Sequence, residues 1–345
     1  MINGRLDLQS TGSFSGIILS AGLGTRMRPL TYERPKPLIP LWGRPIIEWS
    51  LNALHAVGIE HIGINTFHLG EQLPIALAHR SENIIWSHET VLQGTGGGVR
   101  DLSRRLPNKN IVVLNGDAIF DFSLMPLIDD HVRSGAIGTL ALKEVPPDDP
   151  FGRVGVDRDG YIVRISEVQG PRAMDEVRVG AFTGVQVVTE AICRALPEGE
   201  CDIFRTAHRA LLNHDTPIKA HFVPSDSLWV DVGTPGRAIA AHHALWSAPN
   251  SILWNQLPAH TRVGVNGAVL FGDAEVTRPE LLSHCWVGAG TRLTNESAQS
   301  NVIIWDGVNA SLVKSSSRHD CIVTNARECG EIWGQKFRVY CAQSS

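Results

Sequence analysis

Apolar positions along the first two thirds of the chain recur in two patterns, short continuous runs and runs at helical spacing. Ile47, Leu51 and Leu54 fall on one face of a predicted helix over 45–57, and Gly58 ends that pattern. The continuous runs predict buried strands at 16–19, 61–65, 84–86 and 111–114. Strands that alternate with helices in this way predict a parallel sheet covered by helices, the doubly wound α/β class.

In the middle of the chain the pattern becomes typical of a hairpin. Two runs, at 153–157 and 161–165, are joined by the turn-forming tripeptide at 158–160. An α/β pattern then returns, with Asp202 as a predicted helix N-cap. The later predicted elements are a strand at 228–232 and a helix at 238–246. The hairpin is therefore predicted to be an insertion that covers the crevice of the α/β sheet.

Beyond about residue 250 the helical periodicity disappears, and apolar residues recur six positions apart. The recurring pairs are Val263 with Val269, Val287 with Leu293, and Val302 with Val308. Such recurrence is typical of hexapeptide repeats that stack as a left-handed parallel β-helix, with a small sandwich of short strands as the alternative. The predicted organisation is an N-terminal extension (1–14), a Rossmann-like α/β domain with a mixed, mainly parallel sheet (15–248) and a β-helix-like domain (250–345).

Composition excludes several classes of protein. The chain has 345 residues, of which 43% are hydrophobic and 19% charged, and this is ordinary for a globular protein. A net charge of -4 without a basic tract argues against nucleic-acid and membrane-surface partners. No apolar stretch is long enough for a signal peptide or a membrane span, so we expect a cytoplasmic protein. The six cysteines lack C-x-x-C spacing and are expected to be reduced, mostly buried thiols.

A glycine-rich turn follows the first predicted strand, in the segment LSAGLGTRMRPLTYERPKPL at 19–38. Gly22 and Gly24 allow the main chain to approach a phosphate closely. Thr25 offers a hydroxyl group, and Arg26 offers a planar fork of donors. This set of groups at the carboxyl end of a parallel strand favours a nucleoside triphosphate site over an ordinary strand-to-loop turn.

The residues after the turn exclude two better-known phosphate loops. Met27 stands where a dinucleotide-binding fingerprint has its third glycine, and the Gly-Lys-Ser/Thr of a Walker loop is absent. Four prolines between positions 29 and 40 prevent a long helix. The segment from Arg28 is therefore predicted to run extended and to bring Lys36 over the site.

Two aspartates follow or lie within predicted strands. Asp117 comes directly after the strand at 111–114, where open α/β sheets bind ligands, although an Asx turn is the simpler interpretation of this residue alone. Asp231 lies inside the apolar run at 228–232, where a charge is costly unless it is paired or metal-bound. Magnesium uses few carboxylates together with water and phosphate oxygens, so the two aspartates predict a Mg²⁺ site.

Four strings of the sequence together resemble the signatures of the sugar-1-phosphate nucleotidyltransferases, over roughly residues 15–245. These are GLGTRMRPLT, ERPKPLIP, the Gly-Asp at 116–117 and the WVDVGTP at 229–235. The resemblance implies that the triphosphate is bound by Ala21, Gly22, Gly24, Thr25, Arg26 and Lys36. It further implies that Arg26 and Lys36 neutralise the α-phosphate and the departing pyrophosphate, while Asp117 and Asp231 bind Mg²⁺.

The same resemblance implies where the base and the sugar bind. The segment HETVLQGTGGGV at 88–99 resembles the base-recognition turn of the family, with Gln93 and Gly94 as the contact residues. The implied sugar-phosphate contacts are Asn115, Gly152, Arg153, Glu167 and Thr183. For Asn115 a structural role at the strand end is the equal alternative.

One position departs from the family pattern. Many relatives have a lysine after the glutamate at 167 to hold the sugar phosphate, whereas this chain has Val168. Arg153, Lys143 and Arg178 are the candidates to replace it, and the sequence does not choose among them.

The expected reaction joins a sugar 1-phosphate to a nucleoside triphosphate in line, without a covalent enzyme intermediate, because the nucleophile is already an anion. A mannose-1-phosphate guanylyltransferase-like enzyme is the first choice. An N-acetylmuramate-1-phosphate uridylyltransferase or a heptose-1-phosphate guanylyltransferase is the alternative within the family. A non-catalytic sensor of nucleotide sugars is the alternative from another class. The tail is expected to serve a homo-oligomer rather than acetyl transfer, because about 95 residues form few coils.

Overall fold

The computed structural model describes residues 14–146, 154–214, 217–264, 266–294, 298–305, 307–310, 318–324 and 338–341. The chain divides into two compact units that are interleaved in sequence. The first unit comprises the chain up to Gly22 and Trp49–Trp229, and the second comprises Leu23–Glu48 and the chain from Val230.

The α-helices of the described residues are α1 (Ile46–His55), α2 (Gln72–Ala76), α3 (Gly94–Ser103), α4 (Met125–Ser134), α5 (Glu190–Ala195), α6 (Arg209–Asn213) and α7 (Pro235–Trp246). The strands before residue 250 are β1 (Phe14–Leu19), β2 (Pro40–Leu41), β3 (Arg44–Pro45), β4 (His61–Thr66), β5 (Asn83–His88), β6 (Asn110–Asn115), β7 (Ala118–Phe120), β8 (Gly138–Glu144), β9 (Val154–Val156), β10 (Ile162–Ile165), β11 (Val168–Gln169), β12 (Arg178–Thr189), β13 (Ile218–Phe222) and β14 (Trp229–Asp231). Short helical turns of other types occur at Thr25–Met27, Lys36–Leu38, Ala173–Asp175, Phe204–His208, Ile252–Gln256 and Pro279–Leu281.

The later strands are β15 (Arg262–Val263), β16 (Val269–Leu270), β17 (Glu275–Val276), β18 (Leu282–Ser283), β19 (Trp286–Val287), β20 (Arg292–Leu293), β21 (Gln299–Ile304), β22 (Asn309–Ala310), β23 (Arg318–Thr324) and β24 (Arg338–Cys341).

The first unit is built on a mixed ten-stranded sheet in the order β11-β10-β9-β12-β6-β1-β4-β5, with β8 between β12 and β13. Strands β6, β1, β4 and β5 are mutually parallel. Strand β12 is antiparallel to both β6 and β8, and this reverses the direction of the sheet beside its centre. The α/β architecture with a mixed sheet agrees with the sequence prediction.

The core of the first unit lies between the parallel strands and the helices that cover them. Ile17 and Val113 of the central strands pack with Val99 and Leu102 of α3, and all four side chains are fully buried. A Cβ on Gly63 would lie 2.9 Å from the Leu102 side chain, so the glycine in β4 is what allows α3 to lie close to the sheet. Helix α3 is thereby held closely against the sheet.

Several predicted elements appear with small shifts of their ends. The predicted helix over 45–57 is α1, and the predicted hairpin is the antiparallel pair β9 and β10. Asp202 accepts a hydrogen bond from the Arg205 N–H at 2.8 Å, as an N-cap does.

The extended run predicted from Arg28 is wrong. Residues 25–38 instead form two short 3₁₀ turns on either side of a cis Arg28–Pro29 bond. The prolines exclude a long helix, as predicted, but they allow single turns because Pro35 and Pro37 stand at the start of the second one.

The second unit contains the later strands, which pair mostly in parallel, with paired residues 17 positions apart in most pairs and 19 apart between β21 and β23. Val269 pairs with Trp286, and Trp286 pairs with Ile303, each 17 positions further along the chain. In a second sheet Glu275 pairs with Arg292 at the same spacing. The later strands of the described residues therefore form a seven-stranded sheet and a three-stranded sheet.

An aromatic core fills the second unit. The His242 ring of α7 lies 4.8 Å from the ring centre of Trp286 and 6.4 Å from that of Trp42. Phe271 stacks on Trp286 at 5.9 Å, and a Cβ on Gly43 would lie only 2.5 Å from the Phe271 ring. His242 is 2% exposed and lines a small cavity beside this cluster.

Three cysteines have described side chains that are buried and free of disulfide bonds: Cys193, Cys201 and Cys285. Burial raises the pKa of Cys193 and of Cys285 to about 11, so these thiols stay protonated at neutral pH. The expectation of buried thiols is confirmed for these three. Within the part of the chain that the structure describes, no helix has the length and apolarity needed to cross a membrane.

Candidate active site

The start of the glycine-rich turn lies at the carboxyl end of β1 in the first unit. The Ser20 N–H donates to Asn65 Oδ1 at 2.8 Å, and the Ala21 N–H lies 3.4 Å from the same oxygen. The resemblance implies that Ala21 contributes to the triphosphate site, and in the structure the Ser20 N–H before it is engaged within the protein. Asn65 is the last but one residue of β4, 3% exposed, and it was not identified from the sequence.

Asn65 belongs to a buried hydrogen-bonded chain. Its Nδ2 donates to Glu89 Oε1 at 2.8 Å, and the other carboxylate oxygen, Oε2, accepts from the Gln93 N–H at 2.8 Å. Glu89 directly follows β5 and is 7% exposed. The sequence feature that could have identified Glu89 is a charged residue directly after an apolar strand, inside the segment that resembles the base-recognition turn.

Gln93 and Gly94 form the entry to α3 rather than an open turn. Gly94 has a φ of +70°, and a Cβ there would lie 2.5 Å from the Cys201 carbonyl oxygen. The Gln93 side-chain oxygen accepts from the Arg100 guanidinium at 3.2 Å, so a bidentate amide contact to a base would have to share that oxygen.

Gly98 packs against Asn65, and this contact yields a prediction. A Cβ on Gly98 would lie 2.5 Å from Asn65 Nδ2. We expect Gly98→Ala to lower stability by about 1–3 kcal/mol through overpacking, although alanine is the better helix former. The control is Gly264→Ala, whose Cβ would make ordinary contacts at 3.6 Å and beyond. Thermal melts that show no difference between the two variants would contradict the packing argument.

Asn115 and Asp117 lie at the carboxyl end of the neighbouring parallel strand, β6. Between them, the Gly116 N–H donates to the Leu19 carbonyl at 2.9 Å, and a Cβ on Gly116 would lie 2.7 Å from Ser20 Oγ. Glycine at 116 is therefore required for this segment to lie against the end of β1. In the first unit the structure brings together the residues at the ends of β1, β4 and β6.

The second unit holds the remainder of the glycine-rich loop. Gly24 has a φ of +60°, and a Cβ there would lie 2.9 Å from the Thr31 side chain and 3.5 Å from Lys36 Cβ. The stem of Lys36 thus lies beside the loop, as predicted, although it is carried by a 3₁₀ turn. Thr25 and Arg26 are exposed.

Asp231 lies at the end of β14 among two guanidinium groups. Arg237, in the first turn of α7, donates from Nη1 to Asp231 Oδ2 at 2.5 Å. A Cβ on Gly233 would lie 3.0 Å from Asp231 Oδ1, 3.4 Å from Arg237 Nη1 and 3.6 Å from Arg26 Nη1. Arg26, Arg237 and the carboxylate therefore converge on the space that the glycine leaves open. Arg237 was not identified from the sequence.

The donor set fits a divalent cation of the magnesium type. The Asp231 side chain is 36% exposed, and the space beside its Oδ1 exists only because residue 233 has no side chain. Among the described residues no group of three or more His, Cys, Asp and Glu side chains could form an all-protein metal cage. Magnesium commonly uses one or two carboxylates and completes its shell with water and phosphate oxygens, so the Asp231 carboxylate is suited to be one of its ligands.

The sugar-side residues are less completely described. Gly152 and Arg153 lie outside the described residues. Glu167 is 74% exposed and accepts from Arg209 at 2.7 Å. A backbone hydrogen bond at Glu167 and the nearby Arg209 charge lower the pKa of Glu167, so it is ionised at neutral pH. The Thr183 hydroxyl is buried and donates to the Ala141 carbonyl at 2.9 Å.

Two of the three cations that were candidates to replace the missing lysine at 168, Lys143 and Arg178, have partners in the first unit. Lys143 Nζ donates to the Ser227 carbonyl. Arg178 pairs with Glu144 at 2.9 Å and stacks on Phe222 with its guanidinium carbon 3.7 Å from the ring centre. Arg209, which the sequence did not single out, lies directly beside Glu167.

Comparison with known proteins agrees with the site signatures. The family model for nucleotidyl transferases matches residues 15–247. A mannose-1-phosphate guanylyltransferase of Mycobacterium tuberculosis is 30% identical over 313 residues, covering 87% of this chain and 82% of the relative. A D-glycero-alpha-D-manno-heptose 1-phosphate guanylyltransferase of Aneurinibacillus thermoaerophilus is 28% identical over 221 residues, covering 64% of this chain and 93% of the relative.

Solved structures agree on the fold. The crystal structure of HddC from Yersinia pseudotuberculosis complexed with GMP-PN has a TM-score of 0.54 at 18% identity, covering 66% of this chain and 97% of that one. The family match spans more than half of the chain and includes every signature string that suggested the resemblance. The chain belongs to the nucleotidyl transferase family.

Proposed function

We propose that the chain is a mannose-1-phosphate guanylyltransferase-like enzyme, which joins GTP and mannose 1-phosphate to give GDP-mannose and pyrophosphate. The reaction class is that of its relatives: the chain is a sugar-1-phosphate nucleotidyltransferase. One observation carries the choice of substrates. The similarity to the Mycobacterium tuberculosis enzyme covers 313 residues and therefore extends past the family match at 15–247 into the tail.

The proposed triphosphate site uses the exposed groups of the glycine-rich loop. Gly22 and Gly24 give the main chain access to the phosphates, and the Thr25 hydroxyl adds a donor. Arg26 and Lys36 supply positive charge at the α-phosphate and the departing pyrophosphate. Ala21 contributes by holding the loop, because its amide lies near Asn65 Oδ1.

Asp117 and Asp231 are the residues that would hold a Mg²⁺ ion. When bound, such an ion neutralises charge that develops during transfer. The protein does not need a general base, because the attacking oxygen of the sugar phosphate is already an anion. Orientation of the nucleophile in line with the leaving pyrophosphate is therefore the main task of the side chains.

Gln93 and Gly94 are the proposed base contacts. Asn115, Gly152, Glu167 and Thr183 are the proposed sugar contacts, with Thr183 acting through the backbone because its hydroxyl is engaged.

Arg209 joins Arg153 as a candidate for the cation that holds the sugar phosphate in place of a lysine at 168. Its pairing with Glu167 supports this role, since a guanidinium beside a sugar-binding carboxylate could bind the adjacent phosphate. Lys143 and Arg178 are weaker candidates because each is engaged with another group.

The tail at 250–345 is proposed to be a left-handed parallel β-helix that follows a catalytic domain at 15–248. The spacing of 17 residues between paired strands supports this, because three sides of about six residues each make one coil. Stacked coils end in a surface that suits a second copy, so we propose that the tail mediates a homo-oligomer.

A heptose 1-phosphate is the second candidate for the sugar. The heptose-specific relative also carries a guanylyl name, and its match covers 93% of its own length. Both relatives therefore favour GTP, whereas UTP with N-acetylmuramate 1-phosphate remains the alternative with another base.

Substrate choice is tested by pyrophosphate release with Mg²⁺, each of GTP, UTP, dTTP, CTP and ATP, and a panel of hexose and heptose 1-phosphates. We expect GTP with mannose 1-phosphate to give the highest kcat/KM, by about tenfold or more over the other bases, because one lost base hydrogen bond in a built site costs at least that factor. Highest activity with UTP would overturn the guanylyl proposal. Binding of nucleotide sugars without any pyrophosphate release would favour a sensor.

A further inference from the structure

A buried chain of hydrogen bonds in the first unit links the proposed base-contact residues to the start of the glycine-rich loop. It runs from the Gln93 N–H to Glu89 Oε2, from Glu89 Oε1 to Asn65 Nδ2, and from Asn65 Oδ1 to the Ser20 N–H, each step at 2.8 Å. Asn65 is 3% exposed and Glu89 is 7% exposed. No step of the proposed reaction uses either residue.

In each of these three hydrogen bonds, the donor and the acceptor are fixed. The carboxylate of Glu89 only accepts, so Asn65 must present its amide nitrogen to Glu89 and its oxygen to Ser20. A shift of the Gln93 turn moves the acceptor that orients Asn65, and Asn65 in turn orients the Ser20 amide. Buried polar chains of this kind tolerate no unmatched atom, because an unsatisfied group in the interior is costly.

We propose that Asn65 and Glu89 are positioning residues that couple base recognition to the phosphate loop. The inference rests on the proposed function, in which Gln93 and Gly94 contact the base. The correct base holds Gln93 where its N–H can donate to Glu89. The series of hydrogen bonds through Glu89 and Asn65 then holds the first residues of the loop in the position that binds the triphosphate. Discrimination between bases thus depends on the coupling as well as on direct contact.

Because the donors and acceptors are fixed, the inference can be tested by exchanging the amide of Asn65 and the carboxylate of Glu89. Glu89→Gln keeps one acceptor for Gln93 but turns a donor toward the donor of Asn65. Asn65→Asp keeps the acceptor for Ser20 but turns an oxygen toward Glu89. In the double variant, Asp at 65 accepts from Gln at 89, and the glutamine oxygen accepts from the Gln93 N–H. The exchange keeps one carboxylate and one amide, and every hydrogen bond is matched again.

The measurement is the ratio of kcat/KM for the preferred nucleoside triphosphate to that for the next best one. We expect each single variant to lower this ratio by about three- to thirtyfold, and the double variant to recover most of the loss. Thermal shifts with the preferred triphosphate and with pyrophosphate, which has no base, give the same comparison without turnover. The single variants should lose stabilisation by the triphosphate while keeping most of that by pyrophosphate.

The control is Thr139→Val, which removes a buried hydrogen bond to His131 in the same unit at 2.9 Å. It should lower the melting temperature and leave the ratio unchanged. Single variants that weaken all triphosphates and pyrophosphate equally would overturn the coupling, as would a folded double variant that discriminates no better than the single ones. If a single variant does not fold, the deciding comparison is between the kcat/KM ratio of the double variant and that of the wild type.

The failure of the proposed function is a separate result. Wild-type protein that releases no pyrophosphate with any substrate pair would refute that function. The thermal shifts would then still test whether the exchange restores the link between base and phosphate binding.

Discussion

Replacing Asp231 by asparagine is expected to lower kcat by about a thousandfold or more, with little change in the melting temperature. The size follows from the proposed role of Asp231 as a charged metal ligand at the phosphate that reacts, where preorganised charge contributes several kcal/mol. In the structure Arg237 Nη1 lies 2.5 Å from Asp231 Oδ2. An asparagine would turn its oxygen toward Arg237 and its NH₂ group toward the space beside Gly233. A donor would then occupy the position proposed for the cation.

The experiment measures pyrophosphate release across a range of Mg²⁺ concentrations for Asp231→Asn, Asp117→Asn and the wild type. The matched control is Glu280→Gln, which removes the carboxylate of another exposed arginine pair in the same unit, with Arg278 at 3.0 Å. Exposed pairs contribute about 0–1 kcal/mol, so this control should keep full activity. Retention of more than a tenth of wild-type kcat by Asp231→Asn would remove Asp231 from the metal site.

The sequence predicted the parts of the fold that depend on local patterns. The apolar runs became the parallel strands β1, β4, β5 and β6, and the helical spacing became α1. The signature residues could be found because each string is contiguous, as in the loop that carries Arg26. Local strings specify local chemistry, and this is why the sequence alone carries the resemblance to the family.

The glycine run at 94–98 shows where local reasoning failed. The segment resembles a turn, and glycine is the poorest helix former after proline, yet the residues begin α3. A Cβ on Gly96 would lie 2.7 Å from Cys201 Sγ, one on Gly97 would lie 2.5 Å from the Gln93 side chain, and one on Gly98 would lie 2.5 Å from Asn65. Tertiary packing requires glycine at each position, and it outweighs the helix propensity.

The supporting residues of the site could not be predicted for a related reason. Asn65 binds Ser20, which is 45 positions away, and Glu89, which is 24 positions away. Arg237 reaches Asp231 only because Thr234 caps α7 by accepting from the Arg237 N–H at 3.3 Å. Such contacts follow from the register of strands and the direction of a helix, and a one-dimensional pattern contains neither.

Acid is expected to destabilise the protein below about pH 6.5, because three buried histidines are neutral in the folded state. Burial lowers the pKa of His131 and of His208 to about 4, and it holds the pKa of His242 well below its ordinary value. His131 lies 2.9 Å from Thr139 Oγ1 and His208 lies 2.6 Å from Gln186 Oε1. Among the described residues, neither ring nitrogen of His242 has a hydrogen-bond partner.

The sign follows from proton binding. Between the lowered folded pKa and 6.5 the unfolded chain takes up a proton at each histidine and the folded protein does not, so the free energy of unfolding falls as pH falls. Each histidine contributes a slope of up to about 1.4 kcal/mol per pH unit, and a drop of two units costs about 3 kcal/mol per residue. Ordinary carboxylates bind few protons above pH 5. The change in the free energy of unfolding between pH 5 and 6.5 is therefore due to the histidines.

The measurement is the free energy of unfolding from denaturant titrations between pH 5 and 7.5, for the wild type and for His208→Gln. The variant keeps a side-chain donor for Gln186 and has no titratable group, so its slope should be lower by about 1.4 kcal/mol per pH unit. His79→Gln, which removes an exposed imidazole, is the control for the substitution itself. Equal slopes for the two variants would mean that His208 is protonated in the folded protein, and the buried neutral histidine would then not be the source of acid sensitivity.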